Sequence, residues 1–445
     1  MRPPDMRAEH PYLAAMRRVD PVTRLGTVTR VMPTFIEADG PGVPLGSLCT
    51  LGNPGPQQGL AEVVKVEVGR VTLVPYTAAS SLCVGDTVRA TRVGATMPMG
   101  AGYLGRVIDP LGRPVDSGPP VIAGETSWPL AGVGTPPLAR LSPSLPLQTG
   151  VRVLDSLLTL GIGQRVGIFA GSGVGKTTLL SSLASHVEAD VCVLCLVGER
   201  GREADEFWHR SLSESARARS TMVVATSDQP AVMRARSVLV ALSLAEYFRS
   251  RGAHVLLLLD SVTRYALALR EIGLAAGEPP TVRAYTPSVF AALPKVVERC
   301  GALKGSGAIT ALMTVLTETD DVDDPMAETM RALLDGHIVL TRELAEQGHF
   351  PAIHVARSVS RVMPQVTRSE DRQLAADVVA QLALYESSRT LIESGLYAAG
   401  SNPGLDRALR LRAGLTGFLR QDTSKAISRE TALAELAVLL KEERT

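Results

Sequence analysis

Downstream of Val151, short unbroken apolar runs alternate with longer stretches in which apolar residues return every third or fourth position. The runs are "RVGIFA", "VCVLCLV", "TMVVATS" and "HVLLLLD"; among them lie "TTLLSSLASHV" and a long segment ending at "RSRG". Unbroken apolar strands separated by amphipathic helices predict a parallel sheet covered on both faces. In the first helix Leu179, Leu180, Leu183, Ala184 and Val187 share a face, as packing on such a sheet requires. "AITALMTVL" and "GHIVLTREL" extend the same sheet.

Upstream the period shortens. From Pro21 to Arg92 the β-rich runs "GTVTRV", "LAEVVKVEV", "RVTLVPY" and "DTVRATRV" are separated by Gly, Pro, Asn and Asp turns, a spacing that predicts a small antiparallel barrel or sandwich. Residues 94–150 are rich in Pro and Gly but carry interspersed apolar residues, so they read as ordered loop packed onto the next domain. Beyond Pro364, "QLAADVVAQLALYESSRTLIESG" has helical spacing until "GSNPG" interrupts it, predicting a separate helical domain. The expected order is a tail at 1–20, the barrel at 21–92, an α/β domain at 93–363 and helices at 364–445.

Composition narrows the function. Of 445 residues, 45% are hydrophobic and 20% charged, with a net charge of +1; this is a globular balance without the basic field that recruits nucleic acid. No apolar run approaches the ~20 residues a spanning helix needs, and "MRPPDMRAEHPYLAAMRRVD" lacks an apolar signal core, so a soluble chain with a mobile or partner-binding tail is expected. Cys49, Cys83, Cys192, Cys195 and Cys300 are scattered, which suits a reducing compartment. Cys192 and Cys195 spell C-x-x-C inside a buried strand, where alternation turns them to opposite faces and favours packing over zinc or redox work.

The chemistry begins at "AGSGVGKTT", Ala170 to Thr178, which follows a strand and opens a helix. Gly171, Ser172, Gly173, Val174 and Gly175 turn backbone N–H groups toward phosphate oxygens, and the helix start adds positive potential. Lys176 reaches the outer phosphates, Thr177 offers a hydroxyl to magnesium, and Thr178 completes the loop. Ala170 replaces the first glycine of the general pattern, and Gly171 beside it supplies the turn freedom. Asp260, at the end of "VLLLLD" on what reads as a neighbouring strand, is expected to serve magnesium directly or from its outer coordination shell.

Many phosphate-loop ATPases place a glutamate directly after that aspartate, but this chain has Ser261. The base must come from elsewhere. Glu199 in "VGERGREADEF" is the first carboxylate beyond the strand at 191–197, which is expected to lie next to the phosphate-loop strand and so to deliver Glu199 to the rim where such sheets bind ligands. On the residues alone, "ERGRE" reads equally well as a solvated charged loop.

These blocks, with "PGVPLGSLC", "GRVIDPLGRPVDSGPP", "GVRVLDSLLTLGIGQRVGIFAGSGVGKTTLL", "LLLLDSVTRYALALREIGLAAGEPP", "PSVFAALPKVVERCG", "LLDGHIVLTRELAEQGHFPAI" and "SVSRVM", closely resemble the ATPases of bacterial type III protein export, relatives of the catalytic subunit of rotary ATP synthases. The resemblance implies an α/β fold with a RecA-like P-loop ATPase core, an N-terminal small β-barrel and a C-terminal helical domain. It implies ATP hydrolysis, with ATP/ADP and Mg2+ as cofactors, Glu199 as the catalytic glutamate and Thr177 and Asp260 at the metal. It further implies an arginine finger at Arg361, contributed across a subunit boundary, with Arg200 and Arg264 as weaker candidates for phosphate-side or intersubunit contacts, either of which reads equally well as a structural ion-pair partner. Phe350 stands where relatives carry an aromatic that stacks on adenine. The chain departs from the pattern at His354, where relatives usually show aspartate, and Arg357 adds a second cation nearby.

The same resemblance implies a homohexamer at the cytoplasmic face of the inner membrane. There it would be associated with a central stalk, peripheral stator-type regulators and chaperone–effector cargo, using ATP to release or unfold that cargo. Injectisome and flagellum stay open as settings. A hexameric nucleic-acid translocase is disfavoured by the neutral charge and the 4% aromatic content, and a scaffold that does not turn over is disfavoured by the intact Lys176, Glu199, Asp260 and Arg361.

Overall fold

The computed structural model describes residues 23–53, 58–76, 82–91, 96–122, 124, 126–317, 324–422 and 424–441; the expected tail at 1–20 lies outside them. The described chain divides into two compact units, one holding the N-terminal barrel with Ala275–Gly277 and the other Thr96–Leu274 with the chain from Glu278 onward.

The barrel is closed, with strands β1 (Leu25–Val31), β2 (Ile36–Asp39), β3 (Leu48–Leu51), β4 (Gly59–Glu67), β5 (Arg70–Pro75) and β6 (Thr87–Ala90) in the order β1-β2-β5-β4-β3-β6. Alternate residues such as Val28, Ile36, Leu51, Val63, Leu73 and Val88 fill its core. Closure removes the exposed edges an open sheet would present. The period-2 runs of the sequence mark four of these strands, whereas β2 and β3, only four residues each, are too short to stand out among turns.

In the second unit the stretch read as loop contributes strands. β7 (Thr96–Met99) pairs antiparallel with β9 (Thr126–Pro129), and β8 (Arg106–Ile108) adds in parallel to one edge of the main sheet. A short antiparallel pair, β10 (Arg140–Leu141) with β15 (Gly301–Leu303), flanks the same sheet. Its long strands are β11 (Arg165–Ala170), β12 (Val191–Glu199), β13 (Ser220–Thr226), β14 (His254–Asp260), β16 (Ala308–Leu316) and β17 (Gly336–Leu340), and β18 (Val359–Ser360) closes the other edge. The order is β18-β17-β11-β16-β14-β12-β13-β8. β14 and β12 are therefore not neighbours of the phosphate-loop strand β11; β16, which comes later in the chain, is inserted between β11 and β14.

Each face of the sheet has its own core. Along β12, Val193, Cys195 and Val197 join one cluster with Val240, Leu257 and Met313, while Cys192, Leu194 and Leu196 join the other with Ile168, Leu180 and Leu183. The two cysteines thus lie on opposite faces, as strand alternation requires.

The helices that matter for function are α1 (Arg152–Leu157), α2 (Lys176–His186), α3 (Ala231–Ser250), α4 (Val262–Ala275), α5 (Ser369–Glu393), α6 (Pro403–Leu419) and α7 (Arg429–Lys441). The last three do not stand apart from the sheet. Val378, Leu411, Leu415, Phe418 and Leu436 share a buried cluster with Leu154 and Leu157 of α1. Among the described residues no helix is long and apolar enough to cross a membrane.

Candidate active site

The parallel strands end together on one rim. Register places Ala170 of β11 beside Leu316 and Leu340, and Leu196 of β12 beside Asp260. From Ala170 the chain turns through Gly173 (φ 79°) and Gly175 (φ 85°) into α2. Both glycines hold left-handed backbone that a Cβ would strain, and the turn leaves Ser172 and Gly173 exposed while Val174 anchors in the core.

Lys176 opens α2 and reaches back over the rim. Its Nζ lies 2.6 Å from Asp260 Oδ1 and 3.4 Å from Glu199 Oε1. Asp260 also accepts a 2.7 Å hydrogen bond from Thr314 Oγ1 on the intervening strand β16. Glu199 sits just past Gly198, a left-handed residue (φ 66°) at which the pairing of β12 with β13 shifts register. A bulge of this kind re-aims the following side chain. On the far side of Glu199, Arg264 Nη1 lies 2.7 Å from Oε2 and also donates to the Gly198 carbonyl.

The result is two carboxylates and two cations in a largely buried cluster: Glu199 is 5% exposed and Asp260 4%. Burial pushes the Glu199 carboxyl above its ordinary range, opposed by the nearby Lys176 charge. A carboxylate raised in this way is a stronger proton acceptor.

Ser261, fully buried, accepts the backbone N–H of Arg264 at 3.2 Å on its hydroxyl. It caps α4, the helix that carries Arg264 to Glu199.

The other expected residues fall in different places. Thr177 and Thr178 are exposed on the first turn of α2. Phe350 is 41% exposed, and its ring edge lies 3.2 Å from where a Cβ on Gly175 would be, so the aromatic sits over the phosphate loop. Arg200 is not brought in: its side chain is 83% exposed and lies 3.8 Å from Glu203. Arg361 is not brought to this loop either. It follows β18, which pairs with Gly336 and His337 at the amino end of β17, four residues or about 13 Å from the rim. Its guanidinium donates to the Leu334 and Arg331 carbonyls at 3.4 and 3.3 Å, and the residue is exposed. His354 is half-buried, its pKa pushed down chiefly by burial and then by Arg357, and its backbone N–H pairs with Val339 at 2.8 Å.

Sequence reasoning passed over Thr314. The signal was present: Thr310 and Thr314 interrupt the otherwise apolar run "AITALMTVL" and are both fully buried in the structure; each needs a polar partner, and for Thr314 that partner is Asp260.

Among the described residues no three His, Cys, Asp or Glu side chains gather around one point. The donors at hand are a strand-end carboxylate and a helix-start hydroxyl, all oxygen. Such a set suits magnesium, which completes its shell with water and substrate phosphates instead of a protein cage.

Comparison with known proteins finds relatives over nearly the whole chain. Residues 150–360 match the ATP synthase alpha/beta family, nucleotide-binding domain, and residues 367–438 match the T3SS EscN ATPase C-terminal domain. The chain is 44% identical to the flagellum-specific ATP synthase of Bacillus subtilis, over 94% of this chain and 96% of that protein. It is 45% identical to the SPI-2 type 3 secretion system ATPase of Salmonella typhimurium, over 95% and 96%. Among solved structures it resembles the assembled ATPase EscN of the enteropathogenic E. coli type III secretion system, with a TM-score of 0.88, 42% identity, and 93% of this chain and 100% of that one covered. EscN in complex with its central stalk EscO gives a TM-score of 0.85 at 41% identity, with the same coverage.

Proposed function

The chain belongs to the type III protein export ATPase family and is an ATPase, and on that premise we propose that it is the ring-forming motor of a type III secretion system. The observation that carries the catalytic reading is Lys176 Nζ lying between the carboxylates of Asp260 and Glu199, two strand ends from different parts of the chain.

In this reading the backbone of residues 171–175 and the start of α2 hold the phosphates. Lys176 turns from the two carboxylates to the more highly charged outer phosphates, leaving Glu199 to orient water and accept its proton. Arg264 holds the Glu199 carboxylate in place by its ion pair, and Thr314 does the same for Asp260. Asp260 and Thr177 would hold magnesium, which supplies charge neutralisation at the phosphoryl oxygens. Phe350 stacks on the adenine ring.

Arg361 stands on a sheet edge away from its own phosphate loop, which supports a role as an arginine finger for a neighbouring subunit. That role makes activity depend on assembly, in keeping with a homohexamer. Arg200, in solvent within one chain, is left to an intersubunit contact. A central stalk, stator-type regulators and chaperone–effector cargo are the partners proposed, with cargo release or unfolding at the cytoplasmic face of the inner membrane, and no nucleic acid. The flagellar relative, 44% identical, keeps flagellar export as a second reading. Deleting the protein and scoring effector secretion against motility separates the two.

Glu199→Gln is expected to bind ATP at near wild-type affinity while hydrolysis falls by about 10²- to 10⁴-fold, the contribution of a positioned general base. Steady-state ATPase assays with parallel nucleotide binding check this, and a near wild-type rate in the variant refutes Glu199 as the base.

A further inference from the structure

Phe350 rides on a tight loop after the helix Arg342–Glu346, turned by Gly348 (φ 63°) and closed by the His349 N–H to the Leu344 carbonyl at 2.9 Å. The ring is partly exposed over the phosphate loop, so its own packing does not fix it. The backbone around it is held by the residues that follow α6. Arg420 Nη2 donates to the Gln347 carbonyl at 3.1 Å, and the Gln421 N–H donates to the Phe350 carbonyl at 2.9 Å.

The Gln421 side chain is itself fully engaged. Its Oε1 accepts the Arg152 N–H at 2.7 Å, and its Nε2 donates to the Gly150 and Lys425 carbonyls at 2.8 and 2.7 Å. Gly150 is anchored in turn: its N–H donates to buried Asp155 at 2.9 Å, and its carbonyl also accepts the Ile427 N–H at 3.0 Å. One glutamine thus ties three segments, the start of α1, the α6–α7 connection and the Phe350 loop, into one junction. Every polar group of its side chain serves to hold the backbone N–H that meets Phe350.

We infer that Gln421, assisted by Arg420, is a positioning residue for adenine recognition: it presets Phe350 over the phosphate loop so that the base stacks without first ordering the loop. The inference rests on the stacking role proposed above for Phe350. Preorganising a contact raises affinity by removing the ordering cost from the binding step, so the effect belongs to the base and not to the phosphates. A residue that merely supported the fold would weaken both alike.

The test compares equilibrium binding of ATP and of inorganic tripolyphosphate, which has phosphates but no base, to the full chain. Gln421→Ala is expected to lose about tenfold in ATP affinity, the scale of one base–aromatic stack, while tripolyphosphate affinity changes less than about twofold. Phe350→Ala is expected to show the same split, and the double variant to be no weaker than Phe350→Ala alone. Unchanged ATP affinity in Gln421→Ala, equal loss for both ligands, or independent addition of the two substitutions overturns the inference while leaving Phe350 stacking intact. Phe350→Ala without the split overturns the stacking reading itself and the inference with it. Gln421→Met, which keeps the side-chain volume, and Arg420→Ala, at an exposed position, replace Gln421→Ala if that variant does not fold; an ATP-specific loss is expected in both, and its absence in both counts against the inference.

Discussion

Ser261 follows Asp260 directly, in the position where a glutamate would serve a different class of phosphate-loop ATPase as base. Its hydroxyl instead caps α4 by accepting the Arg264 N–H, so the residue helps hold the arginine that clamps Glu199. The cysteines show the same dependence of chemistry on surroundings. Burial pushes the Cys192, Cys195 and Cys300 thiols up to about 12 and Cys49 to about 11, while Cys83 is exposed. Since the thiolate is the nucleophile, iodoacetamide at about pH 8 is expected to alkylate Cys83 and spare the other four in the native chain. Peptide mapping by mass spectrometry checks this, and rapid labelling of Cys192 or Cys195 would contradict the buried-strand assignment.

At the scale of elements, α1 shows how a short helix is fixed by one buried acid. Asp155 accepts the Thr149 N–H and hydroxyl and the Gly150 N–H at 2.7 to 2.9 Å. Burial nevertheless pushes its carboxyl up to about 6. The folded chain therefore keeps this proton to about pH 6, whereas an unfolded carboxyl releases it near 4. The group's contribution to stability is complete below about pH 4 and is lost as pH rises through about 6, by roughly 3 kcal/mol. Melting curves between about pH 4 and 7 are expected to show a steeper loss of stability with rising pH in the wild type than in Asp155→Asn, which removes the titration. Equal slopes would show that Asp155 titrates as an ordinary carboxyl.

At the scale of the molecule, the position of Arg361 is the fact with most consequence. It lies beside the amino end of β17 while the phosphate loop lies at the carboxyl ends of the strands. If Arg361 serves as the finger proposed above, this placement requires that it act on a neighbouring subunit. Arg361→Ala alone is expected to lower ATPase activity by about 10³- to 10⁵-fold with assembly kept. Mixed with inactive Glu199→Gln protein, it is expected to recover activity, because about a quarter of the interfaces in randomly mixed rings join an intact Glu199 to an intact Arg361. Activity that stays at the floor in the mixture argues against action across a subunit boundary.

Much of this was legible along the chain because it is local. The phosphate loop, the carboxylate ending an apolar strand and the alternation of strand and helix are each written within about ten residues, where periodicity and turn chemistry operate. Even the opposite facing of Cys192 and Cys195 follows from alternation alone. The strands of residues 96–141 were hidden because short segments crossed by Pro and Gly carry too little period to register. What only the tertiary structure decided is who meets whom: β16 between β11 and β14, Thr314 on Asp260, Arg264 on Glu199, and Gln421 beneath Phe350. Period tells a residue which face it presents but not which distant segment lies against that face, since partners far apart in sequence are chosen by packing the whole sheet and its two cores at once.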